Sequence, residues 1–325
     1  MTTQDETLAL ARAWYQGDNT TFRSILKQIA AHTKAGSKRG DSAYIRALTV
    51  MSESTDTQLA EANTMIRQYV DTRPADTTHR LILPGEIREQ IDRFIRERHE
   101  IGRLAAHGLA PASKILLTGA PGTGKTSLAR EIAGRLGLPF AVIRLDRLIA
   151  SRLGESLKNM GQLFDGLQHT PMVTLLDEAD ALLAQRGVGQ DVAEMRRVTN
   201  LILQRLDQWD VRGVLVCATN LTAMLDPAAL RRFDLRLDMP VADEQTAIAI
   251  IQSRLVELAM SVDDIAAMAA CAAGLAPALI VQAVDTAARR TLLESDITMI
   301  DEGLLTGLME QARVDTGEER RASDA

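Results

Sequence analysis

The residues most clearly equipped for chemistry are Gly119-Ala120-Pro121-Gly122-Thr123-Gly124-Lys125-Thr126, which fit the spacing G-x-x-x-x-G-K-[ST]. Glycines let successive backbone N–H groups turn toward phosphate oxygens without a Cβ in the way. A helix starting at the end of such a loop, here through Ser127, adds its positive N-terminal end. Lys125 supplies a mobile charge for β- and γ-phosphates, and Thr126 a hydroxyl for Mg²⁺. The second signal is Asp177-Glu178, 52 residues after Lys125, at the end of an apolar run. Asp177 is suited to holding a divalent cation through water, and Glu178 to orienting or deprotonating an attacking water. The plainer alternative is an acid pair at a helix start. Asp180 extends the cluster and reads as a helix-start or contact residue, not as a ligand. Asn220 offers a neutral amide able to bridge a γ-phosphate and the water near Glu178; by itself it is equally a loop asparagine. In Arg231-Arg232-Phe233-Asp234, an arginine offered to a neighbouring γ-phosphate would stabilise transition-state charge. A surface ion pair with Asp234 is the simpler role.

These residues need elements that bring them together. Ile115-Leu116-Leu117, Phe140 to Ile143, Val173 to Leu176, Val214 to Cys217 and Leu235 to Met239 are short apolar runs, most of them separated by helical patterns. That alternation predicts a parallel sheet covered on both faces. Ligands of such sheets sit at the carboxyl ends of the strands, and the glycine-rich loop, the acid pair and Asn220 each follow a strand. From about Val241 the strands stop: Ile248, Ile251, Leu255 and Leu258 keep one helical face, and helices continue to about residue 313. Thr316 to Ala325 reads as a frayed polar tail. Before the sheet, Phe22, Ile25, Leu26 and Ile29 mark a helix face, Gly85 to His107 is amphipathic, and Asp71 to Thr78, with Pro74, reads as a linker.

Loop lysine, acid pair, asparagine and the run Leu225-Asp226-Pro227-Ala228-Ala229-Leu230-Arg231-Arg232-Phe233-Asp234 occur in that order. Together they resemble the AAA+ ATPases, and more closely the AAA subgroup with a second region of homology, over roughly Leu81 to Ala288. The resemblance implies an α/β fold: a P-loop NTPase parallel sheet sandwiched by helices, then a helical lid, preceded by a small all-helical N-terminal domain. The expected divisions are 1–79 (helical domain and linker), 80–240 (ATPase domain) and 241–325 (lid and tail). It further implies ATP and Mg²⁺ as ligands. Gly119 to Thr126 match Walker A, Asp177 and Glu178 Walker B, Asn220 sensor 1, and Arg231 and Arg232 the arginine-finger region. The family often separates the two arginines with Pro-Gly; here they are adjacent, and Arg232, next to Phe233, is the favoured finger. Ala276, Pro277 and Ala278 stand where some members carry a sensor 2 arginine, consistent with the AAA subgroup. A finger acting on its neighbour implies a homo-oligomeric ring, a hexamer by the resemblance.

Members that thread polypeptide place an aromatic on the loop after the second strand. Here Ser151-Arg152-Leu153-Gly154-Glu155 occupies that place, and no aromatic occurs from Ala141 to Gln162. Arginine grips acidic or phosphate-rich surface, whereas a ring grips any chain by apolar contact. Leu153 is the alternative grip. Two functions follow: an ATP-driven remodeller of a protein partner, including service to a separate protease or effector, or a nucleotide-gated oligomeric scaffold that controls an effector without threading. Trp14, Tyr15 and Phe22 fit the core of a small N-terminal domain better than an adaptor surface.

The 325 residues carry a formal net charge of −6, which gives no support to bulk attachment to nucleic acid or anionic membrane. Cys217 and Cys271 are too few for a disulfide scaffold, so buried, reduced thiols are expected. No uncharged apolar run reaches membrane-spanning length, and Met1 to Thr7 is polar and acidic. Together these predict a cytoplasmic protein with neither a membrane segment nor a secretory signal. The five histidines show no metal-ligand spacing.

Overall fold

The computed structural model describes residues 66, 68–73, 81–145, 153–168, 170–183, 190–209, 212–221, 225–294 and 298–323. Six strands form one sheet: β1 (Val70–Arg73), β2 (Lys114–Thr118), β3 (Phe140–Ile143), β4 (Val173–Leu176), β5 (Val214–Thr219) and β6 (Leu235–Asp238), in the order β1-β3-β4-β5-β2-β6. All pairings are parallel except that of β1 with β3.

The apolar runs are unbroken because both faces of the sheet are covered. Ile115 and Leu117 of β2 face one core, with Val214, Val216 and Ala218 of β5. Leu116, Leu215 and Cys217 face the other. The first core is closed by α1 (Gly85–His99), which continues through the short α2 (Ile101–Ala106), and by α3 (Lys125–Leu136). The second is closed by α4 (Leu153–Gln168) and α6 (Gln190–Asp207), with α5 (Asp180–Leu183) between them in sequence. There Phe164 meets Trp209 edge-on, ring centroids 6.3 Å apart.

A short α7 (Pro227–Leu230) leads into β6, its Asp226 cap accepting from the Ala228 N–H at 2.7 Å. After β6 come α8 (Glu244–Leu258), α9 (Ile265–Ala272), α10 (Pro277–Glu294) and α11 (Glu302–Ser323), with a separate apolar core of their own. Asp243 caps α8 through the Thr246 N–H at 2.7 Å, and Asp264 caps α9 through the Ala267 N–H at 2.9 Å. Each such cap stabilises its helix by about 1 kcal/mol.

Three expectations need correction. Asp71 to Thr78 is not wholly a linker: Val70–Arg73 is an edge strand, and a division at residue 79/80 separates it from the sheet it joins. Its sequence, Val-Asp-Thr-Arg, has no alternation to reveal it; the pairing rests on the backbone ladder, buried Tyr69 and Val70, and the Arg144–Asp71 ion pair at 2.8 Å. The helix expected to end near residue 313 runs to Ser323; Glu318, Glu319, Arg320 and Arg321 are good helix formers with no proline among them. Of the two thiols, Cys217 is buried but Cys271 is only partly so. Trp14, Tyr15, Phe22 and Arg152 lie outside the described residues, as does the expected N-terminal helical domain.

Candidate active site

The glycine-rich loop leaves β2 between two neighbours that fix its path. A Cβ on Gly119 (φ 138°) would lie 2.3 Å from the Met239 carbonyl oxygen at the end of β6, so no other residue fits there. The loop ends at Gly124 (φ 95°), which caps the start of α3. Lys125 and Thr126 are thereby the first residues of a helix whose N-terminus opens onto the loop.

Lys125 is buried, and its Nζ donates to three oxygens: Gly119 O at 2.7 Å, Ala120 O at 2.9 Å and Asn220 Oδ1 at 2.6 Å. Burial lowers its pKa from the ordinary lysine value, and the charge of Asp177 opposes that shift. Thr126 Oγ1 donates to Asp177 Oδ2 at 3.1 Å. A hydroxyl and a carboxylate held together beside a phosphate loop form a hard-oxygen donor set that suits Mg²⁺. Lys125 and Thr126 after β2, Asp177 after β4 and the exposed Asn220 after β5 thus converge, and the strand order makes it so: β2 lies beside β5, and β5 beside β4.

Glu178 follows Asp177 on a sharp turn. It has φ 52°, a left-handed conformation rare for a residue with a Cβ, and its side chain is exposed. The next residue anchors the turn, Ala179 N–H donating to Ala218 O at 2.8 Å. Strain of this kind costs on the order of 1 kcal/mol and persists where the surroundings over-determine it. Asp180 is a contact residue, as expected: Thr219 Oγ1 donates to its Oδ1 at 2.6 Å and accepts from the Leu221 N–H at 3.0 Å. That bond ties the acidic turn to the segment carrying Asn220, a link that only a pairing of β4 with β5 could reveal.

The two arginines stand apart from this cluster. Arg232 is held within its own subunit, Nε and Nη2 on the two oxygens of Asp207 at 2.8 and 3.0 Å and Nη1 on Ala228 O at 2.7 Å. Asp234 does not pair with it. It accepts instead from the Ser113 and Lys114 N–H groups at 2.9 and 3.0 Å, staking down the start of β2. Arg231 is exposed and makes no hydrogen bond or ion pair among the described residues.

Pro121 and Gly122 border a cavity of about 1000 Å³ shared with the lid, whose lining includes Ala276, Leu279 and Gln282. The Ala278 N–H donates to Gly122 O at 3.1 Å, and the methyl groups of Ala276 and Ala278 lie close against Gly122, so small residues let the lid touch the loop.

Residues 115–241 match the family model for the ATPase family associated with various cellular activities (AAA). The chain is 41% identical over 151 residues to an uncharacterised AAA family ATPase, y4kL, of Sinorhizobium fredii, covering 46% of each chain. It is 33% identical over 229 residues to the ATP-dependent zinc metalloprotease FtsH 3 of Sphaerobacter thermophilus (68% of this chain, 46% of that one). Over 279 residues it is 30% identical to the FtsH of Acidothermus cellulolyticus (81% and 41%). The chain therefore spans less than half the length of these relatives. Among the described residues no three metal-ligating side chains form a zinc-type cluster, and no helix is long and apolar enough to cross a membrane. ATP and Mg²⁺ are the ligands implied, and the loop, Lys125, Thr126 and Asp177 fit them. Through the domain at residues 115–241, the chain belongs to the AAA+ ATPases.

Proposed function

We propose that this protein hydrolyses ATP with Mg²⁺ in a homo-oligomeric ring, a hexamer, and uses the cycle to remodel a protein partner in the cytoplasm. The observation that carries the ATPase reading is the convergence of Lys125, Asn220, Thr126 and Asp177 at one sheet edge. In this scheme the N–H groups of Gly119 to Thr126 and the Lys125 ammonium hold the β- and γ-phosphates. Mg²⁺, on Thr126 and Asp177, would neutralise phosphate charge as the terminal group departs. Glu178 takes the proton of the attacking water; the Pγ–O bond to ADP breaks as the bond to the water oxygen forms. Asn220 relays the state of the γ-phosphate to β5. Arg231 reaches the neighbouring subunit's site, because Arg232 is already committed to Asp207.

Similarity to FtsH supports a protein substrate. A second reading, a nucleotide-gated scaffold that controls an effector without threading it, is favoured by Arg152 standing where an aromatic grip is expected. One variant tests the whole scheme. Glu178→Gln should still bind ATP while turnover falls about 10³-fold, and its assembly in ATP should trap a client in a pull-down if the protein is a remodeller. Wild-type turnover in Glu178→Gln refutes the role of Glu178. A stable ring that holds an effector, indifferent to nucleotide turnover and with no client, favours the scaffold.

A further inference from the structure

The short extended segment 81–84 lies between the phosphate loop and the lid, and its side chains alternate between them. Leu81 and Leu83 pack on the core beneath the sheet, and Ile82 packs on the core of the lid. The Leu81 side chain covers the end of the loop: its Cδ2 is 3.1 Å from where a Cβ on Gly124 would sit. One buried carboxylate fixes this segment. Glu131, on the second turn of α3 and only 3% exposed, accepts from the Leu81 N–H at 2.8 Å and from Arg88 Nη1 at 2.5 Å. Arg88 turns its other nitrogen onto the Leu81 carbonyl, so both backbone groups of Leu81 are held from one ion pair. Arg135 adds its charge 3.7 Å from the same carboxylate.

A carboxylate buried on the helix that follows a phosphate loop is costly unless it is paired and hydrogen-bonded, and the partners that offset that cost here, the Leu81 N–H and Arg88, lie on the stretch crossing the loop and on the first turn of α1 directly after it. We propose that Glu131, with Arg88, is a positioning residue of the nucleotide site: it clamps segment 81–84 across the loop and the lid, and so sets how tightly MgATP is held. This rests on the ATPase reading above and adds to it a link from α3 to the lid through Leu81 and Ile82. Glu131 touches neither phosphate nor water. Its loss loosens the loop's cover and the lid's register and leaves the hydrolytic residues in place.

The test is a steady-state and binding comparison on the full chain with Glu131→Ala, Glu131→Gln and Ile82→Ser. Glu131→Ala should raise KM and Kd for MgATP about tenfold with kcat within about twofold. Glu131→Gln keeps an acceptor for Leu81 but loses the charge facing Arg88, so it should fall between the two. Ile82→Ser leaves the clamp intact and cuts only its arm to the lid, and it should weaken MgATP binding about threefold. A carboxylate that served folding alone would lower the melting temperature and the active fraction, hence apparent kcat, with KM unchanged, and that result overturns the proposal. If Glu131→Ala does not fold, wild-type KM in both Glu131→Gln and Ile82→Ser overturns it equally. A wild-type chain that binds no MgATP sinks the ATPase reading instead, and this proposal with it.

Discussion

At the scale of single residues, the arginine pair shows how tertiary contacts sort two neighbours that the sequence leaves equivalent. Phe233 is buried, and adjacency to it favours Arg232 as the residue offered to a neighbour. Arg232 spends its guanidinium on Asp207 and Ala228 within the subunit, and Arg231 is left facing outward. Arg231→Ala should therefore lower kcat about 10³-fold with nucleotide affinity retained. Arg232→Ala should cost about 1 kcal/mol of stability or less, since its ion pair is half-exposed, and should keep most turnover. A malachite-green phosphate assay with a melting curve on each variant decides the order, and the reverse pattern returns the finger to Arg232. Glu178 is a different lesson. Its position after an apolar strand marks its chemistry in the sequence, whereas its left-handed backbone is invisible there, because glutamate is not a residue that announces such a turn.

At the scale of elements, the β2–loop–α3 unit is the most legible part of the chain. An apolar run, a glycine-rich loop and a helix start follow one another, each with its own local reason. Even so, the need for glycine at position 119 comes from the residue just after β6, more than a hundred positions further on, where the Met239 carbonyl closes over it. Gly119→Ala should destabilise the domain by about 2–3 kcal/mol, since both the φ and the contact are violated. Chemical denaturation reads this directly; a change under 0.5 kcal/mol, flagged as surface-like by that size, would mean that the loop does not press on β6. The antiparallel edge strand β1 is the opposite case. Four residues with one buried apolar side chain give periodicity nothing to register, and only the exposed edge of β3 supplies the partner. The Glu131 clamp was missed for a related reason. A glutamate within a helix pattern reads as surface until Arg88 and Leu81 fold over it from 43 and 50 residues away in sequence.

At the scale of the whole molecule, sheet and lid are separate cores that meet at the loop, through Ala278 on Gly122 and through Ile82 on the lid. A nucleotide held on that loop, as proposed, would be placed to change their relation. With the finger in trans, specific activity should rise steeply with protein concentration and vanish on dilution below the assembly threshold, while the binding of ATP persists. Sedimentation velocity paired with turnover across the same dilution series checks this; full specific activity from dilute monomer would remove the ring from the mechanism.

What the sequence determined by itself is the set of groups that must follow strands. Local chemistry dictates them: glycines for a phosphate loop, carboxylates for a cation and a water, and apolar runs for a sheet buried on both faces. Which of those groups touch was decided by strand order, because β5 lies between β4 and β2 and so brings Asn220 to Lys125, and Thr219 to Asp180. Long-range pairing of that kind leaves no period in the chain. The edge strand, the intramolecular tie of Arg232 and the buried clamp at Glu131 each exist only once distant segments have packed against one another.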